Sequence, residues 1–180
     1  MRLSNDLIGK SVLLRTATED DAEFILGLRM DPRLNRFLKK TDPSLQKQRD
    51  WIAKKQSEEN DYHMIIQGHD GQRMGVIALY AINSAEGTFD WGRWIIAEDA
   101  PFSAAIESAI LLYDLAFYGL GLKKALFEVQ RANKKVINFH KRFGARSLRN
   151  DEKYEYFSFD EPSFKEALAR YKKFHDLRKG

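Results

Sequence analysis

Residues 86–145 limit what this chain can fold into more than any other stretch. Thr88-Phe-Asp-Trp-Gly-Arg-Trp-Ile-Ile-Ala97 is aromatic and β-branched, and it predicts a strand. Gly92 inside it predicts a bulge, or a point where a ligand approaches the backbone. After Glu98–Ala105, apolar residues recur at helical spacing: Ile106, Ala109, Ile110, Tyr113, Ala116 and Phe117. That helix is predicted to stop at Gly119 and Gly121. Lys124–Val129 predicts a second strand, and Asn133–Phe143 a second helix closed by Gly144. Strand, turn, helix, strand, helix is a βαβα unit. Its first helix begins just past a strand end, so its free backbone N–H groups can hold an anion.

The remainder supplies a meander and its covering helices. Ser11–Arg15 reads as a first strand, and Thr18–Asp21 as a capping box with Asp in the usual Glu place. The helix it opens carries Ala22, Ile25, Leu26 and Leu28 and breaks at Asp31-Pro32. A short segment follows at Leu34–Leu38. Asp42-Pro-Ser44 predicts a turn and cap for a helix over about 45–58, with Leu45, Trp51 and Ile52 inward. Tyr62–Gln67 and Met74–Ile82 read as strands joined by a hairpin at Asp70-Gly71. Lys153–Phe159 alternates as a last strand. Pro162 suits the first turn of an amphipathic helix running to about Leu177. Residues 1–160 are therefore read as one domain, and 161–180 as a helical extension that caps the sheet or meets a second copy in a homodimer.

A chain of 180 residues suits one domain with a sizeable core. It has no cysteine, which excludes disulfides, thiolate metal sites and a cysteine nucleophile. No apolar run reaches the ~20 residues of a membrane span, and the first residues lack the apolar core of a signal peptide. The expectation is a cytoplasmic protein with no membrane partner. Net charge is only +4, but Lys123–Arg149 holds nine Lys or Arg against one acid, Glu128. That run is either a solvated basic face or an attraction for a phosphate-rich ligand. Nucleic acid is not expected, because no zinc-finger spacing or helix-turn-helix signature accompanies it.

Asp90-Trp-Gly-Arg-Trp-Ile95, the Ala100–Ala105 turn, Leu120-Gly-Leu122, Asn133 and His140-Lys-Arg-Phe-Gly144 together resemble the GNAT N-acetyltransferases. Leu14–Ala22 and Leu28–Pro32 fit the same pattern. The nearer branches are those acting on ribosomal-protein N-termini and on nucleotide-linked amino sugars. The resemblance implies an α/β fold: a mixed, mostly antiparallel twisted sheet flanked by helices and splayed between its fourth and fifth strands. It implies acetyl-CoA as co-substrate, no metal, and a small-molecule primary amine as acceptor, such as a nucleotide-linked amino sugar. A protein N-terminus is the rival acceptor. A catalytically degraded GNAT-fold CoA-binding module is the rival outside enzymes.

The same resemblance implies a cofactor site. The pantetheine arm would run along Trp94, Ile95, Ile96 and Ala97. The pyrophosphate would sit over Phe102, Ser103, Ala104 and Ala105, with Asn133 and Lys135 at the next helix. The family pattern at the turn is Gln/Arg-x-x-Gly-x-Gly/Ala. Here Ala100 and Ser103 replace the first two signature residues, and Pro101 removes an N–H donor. The Ser103 hydroxyl can return one. Glu98 and Asp99 read as helix-start acids.

For catalysis, His140 stands seven residues after Asn133, where relatives carry a Tyr that protonates the departing thiolate. An imidazolium titrating near ~6.5 could donate that proton; otherwise His140 is a solvent-facing helix residue. Asp90 stands where relatives carry a Glu base, and its pKa would have to rise for that work; otherwise it is a partner for Arg93. Glu128 faces the same gap, and His63 is a fallback base. Backbone N–H groups near Ile95–Ala97 would hold the developing oxyanion. Arg29, Asp31, Asn35 and Trp91 would shape the acceptor pocket.

Overall fold

The computed structural model describes residues 1–176. It shows the α/β fold that the pattern predicts. Eight strands form one sheet: β1 Leu7–Ile8, β2 Val12–Thr16, β3 Tyr62–Gly68, β4 Arg73–Asn83, β5 Thr88–Ile96, β6 Lys124–Gln130, β7 Arg146–Asn150 and β8 Tyr154–Asp160. Their spatial order is β1-β2-β3-β4-β5-β6-β8-β7, and only β5 and β6 run parallel. The helices are α1 Ala22–Met30, α2 Leu45–Ser57, α3 Phe102–Asp114, α4 Lys134–Phe143 and α5 Glu161–Arg170.

Strand alternation distributes the core between two faces. Met64 and Ile66 of β3, with Ile77 and Leu79 of β4, join the main core formed with α3 and α5. Ile65 points the other way, onto Ala22, Ile25 and Ile52 of α1 and α2. Burial on both faces is why β3 and β4 read as unbroken apolar runs. The 18-residue stretch Phe102–Gly119 is apolar enough to resemble a membrane span, but 61% of it is buried as the core helix.

Local signals close the elements where the sequence predicts. Thr18 and Asp21 form the capping box, and Ser44 caps α2. The Asn133 side chain accepts from the Val136 N–H, and Gly144 ends α4 with φ 115°. Three readings are corrected. β7 was not foreseen, because Arg-Ser-Leu-Arg-Asn has no apolar alternation and every residue of this edge strand is exposed. The two-residue β1 also went unseen. The last helix ends at Arg170, followed by a short 3-10 turn over Lys172–Phe174; Leu177 lies outside the described residues.

A one-residue bulge in β5 decides which side chains reach the site. Gly92 pairs with Ala78 and Ile95 with Val76, so β5 spends three steps where β4 spends two. Arg93 takes up the extra residue with φ 46°. The bulge reverses the parity of the strand. Before it, Phe89 and Trp91 face the main core; after it, Trp94 and Ile96 do, while Ile95 packs against Leu28 and Val76 on the α1 face.

Candidate active site

β5 and β6 pair only at Thr88 with Lys124 and Phe89 with Ala125. Beyond that point they diverge, as expected for the fourth and fifth strands of the sequence reading. A cleft of about 760 Å³ fills the gap and continues beneath the α1–α2 loop. Trp91, Trp94, Phe127, Glu128, Asn133 and His140 are among its lining residues, Glu128 at an exposed position.

His140 is not a surface helix residue. It is 5% exposed, with its ring 4.5 Å from that of Phe127 and 5.2 Å from that of Trp91. Burial pushes its pKa down to about 3. The expected imidazolium is therefore corrected: at neutral pH His140 is a neutral imidazole, able to donate one N–H but carrying no spare proton. His63 is likewise pushed down to about 3 by burial and by the Arg93 charge, and neither of its ring nitrogens has a partner. At neutral pH such a group is too weakly basic for a general base. Asp90 moves the other way. Burial, with the Glu128 charge added, pushes its pKa up to about 7, although its carboxylate accepts from the Trp91 N–H at 2.7 Å. Asp90 does not itself line the cleft; it pairs across the sheet with Tyr80, which does. Arg93 is not its ion partner: the guanidinium forms a bidentate pair with Asp61 at 2.7 and 2.9 Å. It also lies 4.4 Å from the Tyr80 ring centre.

On the α4 side, the Trp94 indole N–H is buried without a partner. The Ala97 N–H is bound to the Met74 carbonyl at 2.9 Å, so it is withdrawn from the expected oxyanion donors. N–H directions alternate along a paired strand, which leaves Ile96 to face the gap. No side chain caps α3, whose first turn carries Phe102, Ser103, Ala104 and Ala105. Ser103 Oγ stands 3.5 Å from Ser11 Oγ. The helix has no acid in its first turn. Glu98 instead forms an ion pair with Arg33, and Asp99 accepts from Gln72. Lys135 is exposed and does not line the cleft.

On the other side, residues 31–44 form a roof pinned at several points. Leu34 and Leu38 pack on the Leu28–Val76–Ile95 cluster. Gln130 donates to the Phe37 carbonyl at 3.1 Å, tying the roof to β6. Arg29 lines the cleft and donates to Thr41 Oγ1 at 2.7 Å. Asp31 and Asn35 do not line it; Asp31 turns back onto Arg33. Sequence reasoning passed over Gln48, Tyr80, Lys39 and Lys40, all of which line the cleft. The available signal for Gln48 was its spacing, three residues after Leu45 and four before Ile52, which puts it on the inward face of α2.

A sheet opened between two parallel strands, a helix that begins just past the end of one of them and a cleft in the opening are the features of the acyl-CoA-dependent N-acyltransferase class. A family model described as an acetyltransferase (GNAT) domain matches residues 11–146, and the chain belongs to that family. It is similar to apo FdhC, described as a nucleotide-linked sugar GNAT, with 33% identity and a TM-score of 0.87 over 96% of this chain and 99% of that one. A GCN5-related N-acetyltransferase from Brucella melitensis shares the fold at 18% identity and a TM-score of 0.81, covering 95% of this chain and 85% of that one. So does spermidine N-acetyltransferase from Vibrio cholerae in complex with CoA and spermine, at 15% identity and a TM-score of 0.75, covering 86% and 98%. No curated protein matches the chain.

Proposed function

We propose that this protein transfers acetyl from acetyl-CoA to the primary amine of a nucleotide-linked amino sugar. One observation carries the reading. The cleft joins the β5–β6 gap to a chamber whose charges do not suit a polycation. Arg29, Lys39, Lys40, Lys47, Lys55 and Arg93 line it against only two acids, Asp42 and Glu128. A spermidine-like acceptor would be repelled there, and an anionic acceptor drawn in. The likeness to a nucleotide-linked sugar GNAT points the same way.

The residues present fit acetyl-CoA. The unpartnered Trp94 indole N–H would serve the extended pantetheine chain, and the first turn of α3, which no side chain caps, would offer the Phe102 and Ser103 N–H groups to a pyrophosphate, the Ala104 N–H being bound to the Pro101 carbonyl at 2.9 Å. When bound, acetyl-CoA supplies an activated acetyl thioester to an uncharged amine. Asp90, held at about 7, takes the amine proton through water at neutral pH. The Ile96 N–H holds the oxygen charge that develops during transfer. His140, neutral and enclosed by aromatic rings, offers an N–H to the departing sulfur and keeps water from it. Because a thiolate with a pKa near ~8.5 leaves readily, a hydrogen bond suffices and a full proton is not needed.

The test is release of free CoA thiol from acetyl-CoA with a panel of amines. Nucleotide-linked amino sugars should be turned over, and spermidine and N-terminal peptides should not. Absence of CoA binding, read as no thermal shift at millimolar acetyl-CoA, would remove the enzyme reading.

A further inference from the structure

We infer that Arg29, Lys39 and Lys40 form a diphosphate subsite beneath the 31–44 roof, and that Gln48 and His63 beside it read a hydroxyl of the attached sugar. This rests on the acetyltransferase reading above and adds where and how the acceptor is held.

Arg29 is half-buried at the end of α1. Its contacts are neutral: Thr41 Oγ1 at 2.7 Å and the Lys39 carbonyl at 3.3 Å. Burial and the nearby Arg93 charge both press against its ionised form, and no carboxylate relieves it. The other cations of the chamber are already matched. Lys47 pairs with Asp42 at 2.5 Å, Lys55 with Asp61 at 3.1 Å, and Arg93 with Asp61 at 2.7 Å. Lys39 and Lys40 are exposed on the roof, and neither forms an ion pair among the described residues. Three cations without acids thus converge on one end of the cleft. A guanidinium whose planar fork keeps donors free suits a phosphate oxygen pair, and two mobile ammonium groups suit its neighbour.

The second observation is independent of charge. Gln48 is 6% exposed and lines the cleft with Nε2 unpartnered. His63, also 6% exposed, leaves both ring nitrogens unpartnered in the same lining. Buried polar atoms without protein partners are few in a folded protein, and each calls for a partner from a water or a ligand group. A neutral imidazole has one donor and one acceptor nitrogen, and an amide NH₂ adds donors. A hydroxyl, which both donates and accepts, satisfies such a pair. A diphosphate anchored at the roof would then direct the sugar inward toward the Tyr80–Asp90 end of β4 and β5.

Titration calorimetry with the intact protein tests this, using uridine 5′-diphosphate, inorganic pyrophosphate and uridine as probes under saturating CoA, so that the cofactor's own phosphate site is filled. Uridine 5′-diphosphate should bind the CoA-loaded protein, pyrophosphate should bind more weakly, and uridine should give no heat. The exposed pair Lys39→Ala/Lys40→Ala, which leaves the core untouched, should weaken uridine 5′-diphosphate at least tenfold, about 1.4 kcal/mol, with CoA affinity unchanged. Arg29→Lys should weaken it further. Gln48→Leu should leave pyrophosphate binding intact while raising KM for an amino-sugar acceptor. Equal binding of uridine and uridine 5′-diphosphate, or a double-lysine variant that binds like wild type, would overturn the subsite. If thiol release with small uncharged amines persists in that case, acetyl transfer stands and only the diphosphate site falls. If CoA itself does not bind, both fall.

Discussion

The Trp91 indole N–H donates to the Tyr113 hydroxyl at 2.7 Å in a part of the core where Tyr113 is 1% exposed. The bond joins a wall of the cleft to α3, the helix whose first turn opens beside that cleft. Tyr113→Phe leaves the indole donor buried without an acceptor. The expected loss is about 1–3 kcal/mol, read as a lowered urea midpoint with an unchanged m-value. Because the ring itself is preserved, the aromatic contacts with Phe117 and Phe159 should persist.

Asp90 sets a pH dependence for the rate. With its pKa at about 7, the deprotonated base accumulates as pH rises through neutrality. Measured kcat/KM should therefore climb across that range and level off above it. Asp90→Asn should abolish the climb and lower the plateau by about 10²-fold or more. His140→Ala should also slow single turnovers but leave the titration limb in place, since His140 is already neutral throughout that range. A limb that disappears with His140 rather than Asp90 would reverse the assignment.

Stability in acid should follow the same groups. His63 and His140 fall to about 3 in the folded protein, so between their ordinary 6.5 and that value the unfolded chain binds more protons. Stability is then lost as pH falls, by about 1.4 kcal/mol per pH unit for each histidine. Asp90, raised from 3.8 to about 7, works in the opposite sense: the folded state binds its proton first, and stability is gained as pH falls toward 4. Asp114, also raised by burial, works in the same sense as Asp90; the two histidines, each titrating over the wide window down to about 3, leave a net loss on acidification. Chemical denaturation at pH 7 and pH 5 should show that loss shrinking in His140→Phe and growing in Asp90→Asn.

Gly92 has no room for a side chain. A Cβ there would stand 2.8 Å from the Tyr80 hydroxyl oxygen. The Tyr80 ring cannot swing freely, because the Arg93 guanidinium lies against it and is itself held by Asp61. Gly92→Ala should cost about 1–3 kcal/mol through overpacking and raise KM for the amine. Tyr80→Phe in the Gly92→Ala background should recover most of the stability, because it removes the clashing oxygen. Failure of that rescue in melting experiments would show that the backbone, not the hydroxyl, is what Gly92 serves.

Much of the frame was legible because its signals are local. The Thr18–Asp21 box, the Ser44 cap, the Asp70-Gly71 hairpin and the Asn133 and Gly144 ends of α4 each act within a few residues of themselves. The βαβα order around Trp91 and Phe127 followed from hydrophobic spacing, while the position of the splayed gap came from the family resemblance. His140 was singled out by its distance from Asn133, and it does line that gap.

What the sequence by itself determined is therefore the order of elements, since caps, turns and periodicity are written in neighbouring residues; the place of the opening was implied by likeness to a family. The tertiary structure alone decided the state and direction of the groups in that opening. Whether a histidine is charged depends on how far other elements bury it, and the helix that holds His140 contains neither Phe127 nor Trp91. Whether Trp94 or Ile95 faces α4 turns on a single extra residue at Arg93, and register is a property of two strands together. The roof over Arg29 is tied to β6 by Gln130, 93 residues away along the chain, which donates to Phe37. Burial, register and contacts across the chain are sums over the whole fold, and only the folded chain evaluates them.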